Sequence, residues 1–109
     1  MSKGKLFRYE AIKAMRIVHE NPENSAGKWN DTFGNKSPII LELGCGRGEY
    51  SVGLAELHPQ NNYLGVDIKG ERIYIGASRA ENLGLENVHF LRTQIEKIDS
   101  YFEKDEIDD

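Results

Sequence analysis

The sequence predicts an α/β fold that forms one half of a doubly wound sheet of parallel strands. Three observations predict it: short apolar runs alternate with helix-like segments, turn-forming residues separate them, and the pattern fits within 109 residues. The order strand, helix, strand, helix, strand requires parallel strands joined by right-handed crossovers. Hydrophobic residues make up 39% of the chain and charged residues 29%, which is typical of a globular protein and not of a disordered one.

The first segment, residues 1–36, precedes the regular pattern and is predicted to be an N-terminal extension made of a helix and a loop. Intermittent apolar positions predict a helix from Leu6 to Glu20. Residues 21–37 are rich in turn formers and predict a long loop. Trp29 and Phe33, four residues apart in this loop, are expected to anchor it by burying their rings.

The regular pattern occupies residues 37–109. Ile39–Leu43 is a short apolar run, as expected for a strand covered on both faces. Glu49 to His58 has the periodicity of a helix, which Pro59 ends. Asn62 to Asp67 predicts a second strand.

The pattern then repeats once more. Glu71 to Leu83 predicts a second helix, with Gly84 placed to end it. Asn87 to Arg92 predicts a third strand, and the apolar residues of 95–102 predict a short third helix. The pattern over residues 37–109 therefore comprises three strands and three helices.

A glycine-rich turn, Gly44-Cys45-Gly46-Arg47-Gly48, joins the first of these strands to its helix. Glycine has no Cβ and tolerates positive φ, so the backbone there can turn sharply and lie close to a ligand. In open α/β sheets, ligands bind beyond the carboxyl ends of the strands, where this turn falls. Asp67 ends the next strand, where a carboxylate can accept hydrogen bonds from ribose hydroxyls. Together they predict an adenosine-containing ligand, against the alternative that the glycines only shape a tight turn.

The side chains around this turn favour one such ligand over another. Gln94 and Ile95 follow the third strand, where an amide can bind the polar edge of a base and an aliphatic chain can pack on its face. Glu42 precedes the turn and Glu49 opens the helix, and carboxylates suit an ammonium or sulfonium group better than a pyrophosphate. The Gly-x-Gly-x-Gly spacing also differs from the dinucleotide pattern, and no P-loop is present. S-adenosylmethionine is therefore favoured over NAD.

These residues carry a family resemblance. The run from Glu42 to Glu49 resembles the first motif of class I S-adenosylmethionine-dependent methyltransferases. Three further runs, Tyr63–Arg72, Gly76–Ala80 and Asn87–Thr93, resemble the bacterial tRNA (guanine-N7-)-methyltransferases. The resemblance extends over residues 29–102.

The resemblance implies a Rossmann-like methyltransferase domain that transfers a methyl group from S-adenosylmethionine to N7 of guanine 46 in the tRNA variable loop. It places Glu42 at the cofactor, Asp67 at the ribose and Gln94 where relatives often have Asp or Asn, which leaves the adenine contact of the longer glutamine open. The expected cofactor-binding residues are Glu42, Gly44, Gly46, Gly48, Asp67, Gln94 and Ile95.

The resemblance also implies that the domain is truncated after about the third parallel strand and third helix, so that this chain is a fragment of a longer protein. The family continues into a fourth strand and a motif containing Asp-Pro, whose Asp is the catalytic candidate. We therefore expect no catalytic residue in this chain, only C-terminal to Asp109, and no methyl transfer by the chain alone. Because the fourth strand usually pairs with the first, the edge of Ile39–Leu43 is expected to be exposed, and a dimer through that edge is a possible result.

The net charge of −4 is unevenly distributed. Residues 1–36 hold seven basic and four acidic residues, whereas residues 37–109 hold seven basic and fourteen acidic ones. The basic segment from Lys3 to Arg16 is either a solvated surface or an arm that contacts tRNA phosphates in the full-length protein.

The remaining features exclude other classes. Cys45 is the single cysteine, so no internal disulfide forms, and we expect it to be packed beneath the turn. His19, His58 and His89 share no metal-ligand spacing, so no metal site is expected. No apolar run approaches the ~20 residues of a membrane span, and the start lacks a secretory leader, so the cytoplasm is the expected compartment.

Two alternatives stay open at this point. One is a class I methyltransferase with a different acceptor, such as a small molecule or a protein. The other is a non-catalytic module that binds a nucleotide or NAD. The C-terminal sequence that holds the acceptor site would distinguish the first alternative from a tRNA enzyme. Competition by NAD in a binding assay would identify the second.

Overall fold

A computed structural model describes residues 3–108, which form one parallel sheet of four strands with helices on both faces. The predicted segments 1–36 and 37–109 include Met1, Ser2 and Asp109, which lie outside the described residues. The elements in chain order are α1 (Lys3–Ala11), a 3-10 turn (Ile12–Ala14), β1 (Val18–Glu20), α2 (Trp29–Phe33), β2 (Ile39–Leu43), α3 (Glu49–Leu57), β3 (Asn62–Asp67), α4 (Gly70–Asn82), β4 (Val88–Arg92) and a 3-10 helix (Ile95–Tyr101). The strand order is β1-β4-β3-β2.

The regular part of the sequence folds as predicted. β2 and β3 have the predicted bounds, and α3, α4 and β4 each begin and end within one residue of the prediction. Gly84 follows α4 with a φ of +69°, the left-handed conformation expected of a residue that ends a helix. The third predicted helix is a 3-10 helix that ends at Tyr101. The α/β fold with parallel strands is therefore confirmed.

The predicted helix from Leu6 to Glu20 is wrong in its second half. α1 ends at Ala11, and Val18 begins a strand that pairs with β4 opposite Phe90. The N–H of Phe90 donates to the carbonyl of Ile17 at 2.7 Å, and both Ile17 and Val18 are buried. Without β1 the backbone of β4 would be an unpaired edge, so pairing over a long sequence distance overrides the local helical pattern. The sheet consequently has four strands instead of the three predicted.

The predicted loop over residues 21–37 contains a short helix, α2. Trp29 is 1% exposed and Phe33 is 8% exposed, which confirms that their rings anchor this segment. The indole Nε1 of Trp29 donates to the carbonyl of Tyr101 at 2.8 Å. The carboxylate of Glu106 accepts the backbone N–H of Trp29 at 3.0 Å at the start of α2. The loop is therefore fixed against the C-terminal part of the described chain.

The sheet separates two apolar cores. The core beneath α1, α3 and α4 includes Ile12, Val52, Tyr63, Ile73, Ala77, Val88 and Phe90. The core on the opposite face, beneath α2 and the 3-10 helix, comprises Trp29, Phe33, Ile39, Leu64, Val66, Leu91 and Tyr101.

A pair of histidines lies inside the junction of β1 and β4. The Nε2 atom of His19 and the Nδ1 atom of His89 are 2.9 Å apart, so one ring nitrogen donates a hydrogen bond to the other. The ring of Phe33 meets that of His89 edge to face at 4.6 Å between centroids. Burial lowers the pKa of both histidines, for His89 to about 3, and the neighbouring charge of Arg16 acts in the same direction. Both rings are therefore neutral in the folded protein near neutral pH.

Within residues 3–108, β2 pairs only with β3 and is an edge strand. Asp108 contacts just the first residue of that edge: its N–H donates to the carbonyl of Ile39 at 2.9 Å, and its carboxylate accepts the N–H of Ile39 at 2.8 Å. The rest of the edge faces a groove lined by Leu41, Leu43 and the segment 98–107. A dimer through this edge stays a prediction.

Candidate functional site

The glycine-rich turn after β2 has the conformation that the sequence predicts. Gly44, Gly46 and Gly48 have φ values of +70°, +56° and +69°, in the left-handed region that favours glycine. The N–H of Cys45 donates to the carbonyl of Val66 in β3 at 2.9 Å, which holds the turn against the neighbouring strand. The turn thus lies over the carboxyl ends of β2 and β3.

Two of the glycines are also required by close packing. A Cβ on Gly48 would lie 2.7 Å from the ring of Phe90. A Cβ on Gly76 in α4 would lie 2.6 Å from the carbonyl oxygen of Arg47 in the turn. By contrast, a Cβ on Gly44 or Gly46 would meet nothing within 4 Å. The turn is therefore tightly packed from below and has open space above it, where a ligand can approach its backbone.

Asp67, the last residue of β3, holds the turn through its side chain. Its Oδ2 accepts the N–H of Gly46 at 2.8 Å, and its Oδ1 accepts the N–H groups of Ile68 and Lys69 at 2.7 and 3.0 Å. A carboxylate has about four acceptor positions, so these three bonds leave room for a further donor. The N–H of Thr93 donates to the carbonyl of Asp67 at 3.1 Å, which links this residue to the end of β4. Asp67 therefore connects the glycine turn after β2, the end of β3 and the end of β4.

Glu42 lies in β2, one residue before the strand ends, and is half-buried. Its Oε1 accepts a hydrogen bond of 2.5 Å from the hydroxyl of Ser51 in α3. With Cys45, Arg47, Glu49, Tyr50 and Arg72 it lines an open cleft of about 480 Å³. The two ion pairs found among residues 3–108, Lys13–Glu10 and Arg92–Glu20, do not include Glu42.

Gln94 and Ile95 lie on the opposite side of Asp67. Both are exposed, and together with Ile68, Thr93 and Glu96 they line a second cleft of about 380 Å³ that begins at Asp67. The predicted site residues therefore share one edge of the sheet: Glu42 lies at one cleft, Gln94 and Ile95 lie at the other, and the turn and Asp67 join the two.

Cys45 is packed beneath the turn, as expected. It is 7% exposed, and a Cβ on the facing Gly65 would come within 3.0 Å of its sulfur. Burial raises the pKa of the thiol to about 12, and the carboxylates of Asp67 and Glu42 act in the same direction. A thiol in this state is protonated and is a poor nucleophile.

Two residues of this edge were not predicted from the sequence. Ser51 is 1% exposed and touches the carboxylate of Glu42. Arg92 ends β4, and its Nε donates to the carbonyl of Ile68 at 2.9 Å while its Nη1 pairs with Glu20 in β1 at 3.0 Å. The Ser51–Glu42 contact spans nine residues, and the two contacts of Arg92 span 24 and 72 residues, so each depends on how the chain folds and none follows from a local sequence pattern.

No group of three or more His, Cys, Asp or Glu side chains within residues 3–108 is placed to hold a metal ion. Across the same part of the chain, none of the helices is long and apolar enough to cross a membrane. The predicted basic segment lies on the surface: Arg8 and Arg16 are exposed, and the ammonium of Lys13 lies 3.3 Å from Glu10.

Comparison with known sequences finds one matching family profile and several curated relatives. The family profile described as "Methyltransferase domain" matches residues 35–109. A tRNA (guanine-N(7)-)-methyltransferase of Cytophaga hutchinsonii is 42% identical over 98% of this chain and 50% of its own length. The enzyme of the same name from Bacteroides thetaiotaomicron is 43% identical over 98% of this chain and 46% of its own length.

Solved structures share the fold at lower identity. A structure described as an antibiotic-related methyltransferase has a TM-score of 0.57 and 23% identity, over 63% of this chain and 36% of the other. PKMT2 from Rickettsia typhi, solved in complex with AdoHcy, has a TM-score of 0.53 and 21% identity, over 89% of this chain and 16% of its own.

The chain spans about half the length of the curated relatives it matches. The profile match covers more than half of this chain and includes the glycine turn, Asp67 and Gln94. With the fold and the geometry of the strand ends, it shows that this chain belongs to the methyltransferase-domain family.

Proposed function

We propose that this chain is the cofactor-binding part of a tRNA (guanine-N7-)-methyltransferase, which transfers a methyl group from S-adenosylmethionine to N7 of guanine 46 in the tRNA variable loop. The observation that carries the proposal is the meeting of Glu42, the glycine turn and Asp67 at one sheet edge. Relatives of that name align with 98% of the chain at 42 to 43% identity, which supports the choice of substrate.

The residues of the edge fit the parts of this cofactor. The open space over Gly44 and Gly46 allows the ligand to lie against the backbone. Asp67 keeps acceptor capacity for one ribose hydroxyl, and the second cleft offers Gln94 and Ile95 to the adenine. Glu42 accepts a hydrogen bond from the ammonium group of the methionine part. The set repeats the seven residues expected from the sequence, with Gly48 acting through the packing of the turn.

S-adenosylmethionine, when bound, supplies an electrophilic methyl group on a sulfonium. The guanine N7 carries its own lone pair, so the protein has to align the two groups and exclude water, and no general base is required. We propose that the residues that align the guanine, including the catalytic aspartate, belong to the half of the relatives that this chain does not match. Methyl transfer by these 109 residues alone is therefore not expected.

A non-catalytic NAD module is the second candidate, and the charges at the edge argue against it. Glu49 is the first residue of α3, where a pyrophosphate would accept hydrogen bonds from the free N–H groups of the helix. Glu42 lines the same cleft. Two carboxylates there repel a pyrophosphate and attract an ammonium or sulfonium.

Calorimetric titration with S-adenosylhomocysteine, with NAD as the control, tests the proposal. We expect binding of the first ligand and none of the second, and no transfer of labelled methyl groups to tRNA by the same sample. Binding of NAD in place of S-adenosylhomocysteine by a folded sample would overturn the assignment and favour the nucleotide-binding module.

We propose that tRNA phosphates contact the basic segment at α1, in the cytoplasm where tRNA is modified. Replacing Lys5, Arg8 and Lys13 by glutamine in the full-length protein is expected to weaken tRNA binding. The plot of log affinity against log salt should become less steep, by roughly one for each phosphate that is no longer neutralised. Arg79→Gln, in the last turn of α4, is the matched control because it removes an exposed charge elsewhere. An unchanged slope in the triple variant would remove this segment from the tRNA interface.

A further inference from the structure

Ser51 has a buried hydroxyl whose hydrogen bond leaves its own helix. It is the third residue of α3 and is 1% exposed. A serine in a helix commonly bonds to the carbonyl four residues before it. Here the hydroxyl instead donates to the Oε1 of Glu42 in β2, at 2.5 Å.

Glu42 has few other restraints within the described part of the chain. The hydrogen bond from Ser51 is the one found for its side chain there, and it uses only one of the two carboxylate oxygens. Its neighbour Cys45 is a protonated thiol, because burial raises the pKa of that group to about 12. Glu42 nevertheless lines the open cleft beside the glycine turn. The carboxylate is therefore oriented by a single neutral donor and keeps its second oxygen for another.

We propose that Ser51 is a positioning residue, whose hydroxyl orients the Glu42 carboxylate toward the ammonium group of the methionine part of S-adenosylmethionine. This inference rests on the proposed function and extends it to a residue that does not touch the cofactor. A hydroxyl held in a helix that donates to a carboxylate restricts the rotamer of that carboxylate. The ammonium then meets a charged acceptor that is already in place, so less side-chain entropy is lost on binding.

A purely structural role for Ser51 predicts a different result. If the hydroxyl served only to satisfy its own buried oxygen, removing it would lower the stability of α3 and weaken every ligand of the edge to a similar degree. A positioning role is specific to the amino-acid part of the ligand, because Asp67, Gln94 and Ile95 bind the adenosine part without Ser51. Two ligands that differ only in that part therefore separate the two roles.

The test compares S-adenosylhomocysteine with 5′-methylthioadenosine, which has the same adenosine and thioether but no amino-acid group. In Ser51→Ala we expect the dissociation constant for S-adenosylhomocysteine to rise about tenfold, as for a lost hydrogen bond to a charged group, and that for methylthioadenosine to stay within about twofold. Ser51→Thr, which keeps the hydroxyl, is expected to restore part of the affinity. Val52→Ala is the matched control, since Val52 is a buried neighbour in α3 that packs in the apolar core and has no side-chain group that can hydrogen-bond to Glu42.

The outcomes separate the positioning role from the structural role and both from a failure of the proposed function. Equal weakening of both ligands in Ser51→Ala, or the same ligand discrimination in Val52→Ala, would overturn the positioning role. If Ser51→Ala does not fold, Ser51→Cys keeps the side-chain volume with a weaker donor and is expected to show the same discrimination. If the unchanged protein is folded but binds neither ligand, the proposed function itself fails, and the inference fails with it.

Discussion

Acidification tests the buried histidine pair of the β1–β4 junction. The pKa of His89 is lowered from 6.5 in the unfolded chain to about 3 in the folded protein, first by burial and then by electrostatic interactions with His19 and Arg16. Below pH 6.5 the unfolded state therefore binds a proton that the folded state does not bind, and stability falls as the pH falls. Above that pH both states are neutral and the contribution does not change.

The size of the effect follows from the same two values. Each pH unit between 6.5 and 3 lowers the free energy of unfolding by about 1.4 kcal/mol for one such group. Acidification to about pH 5 is thus expected to cost about 2 kcal/mol through His89. His19, whose pKa is also lowered by burial, adds to the loss. Carboxylates titrate mostly below this window, so the histidines dominate it.

Urea unfolding followed by circular dichroism, near neutral pH and again near pH 5, measures the loss. His89→Gln is expected to be less stable at neutral pH but to lose less on acidification, because the main titrating group is gone. His58→Gln is the control, since His58 follows α3 away from the pair, and it should lose as much as the unchanged protein. Identical acid sensitivity in His89→Gln and the unchanged protein would refute the reasoning.

Three further predictions concern the glycine turn, the contacts of Arg92 and the edge of β2. Gly48→Ala is expected to lower the free energy of unfolding in urea by about 2–5 kcal/mol, because the positive φ is strained for alanine and the new Cβ meets Phe90. Gly53→Ala in α3 is the control, since its Cβ meets nothing within 4 Å and the change should be neutral or stabilising. Equal effects of the two changes would contradict the tight packing beneath the turn. Arg92→Gln breaks the link between β1 and the loop after β3 and should cost about 1–3 kcal/mol in the same assay, and no loss would show that the link does not stabilise the fold. The uncovered edge of β2 predicts that the chain dimerises with rising concentration in sedimentation equilibrium, and a persistent monomer would argue against pairing there.

The elements from β2 to β4 could be predicted because their signals are local. Apolar runs define the strands, and Pro59 and Gly84 mark where helices end, so each boundary depends on a few adjacent residues. β1 could not be predicted this way. Its three residues form a strand only because β4 offers an unpaired backbone, and that partner lies about seventy residues away in the sequence.

The candidate site likewise has features that local sequence signals predict and features that depend on the fold. Glycines at fixed spacing and an acidic residue at a strand end are local signals, so the turn and Asp67 were found from the sequence. That Asp67 uses three acceptor positions on backbone N–H groups was not predictable, because it depends on how the turn folds over β3. The bond between Ser51 and Glu42 joins a helix to a strand across the glycine turn, and no residue pattern specifies it.

The central claim is that the carboxyl edge of the sheet binds the cofactor, and an NMR titration tests it most directly. The backbone N–H groups of Gly46, Ile68 and Lys69 bond to Asp67, so S-adenosylhomocysteine is expected to shift their amide resonances together with those of residues 94–95. Gly34 and Gly84 line a cleft at the opposite end of the strands and should not shift. Shifts confined to Gly34 and Gly84 would contradict the account.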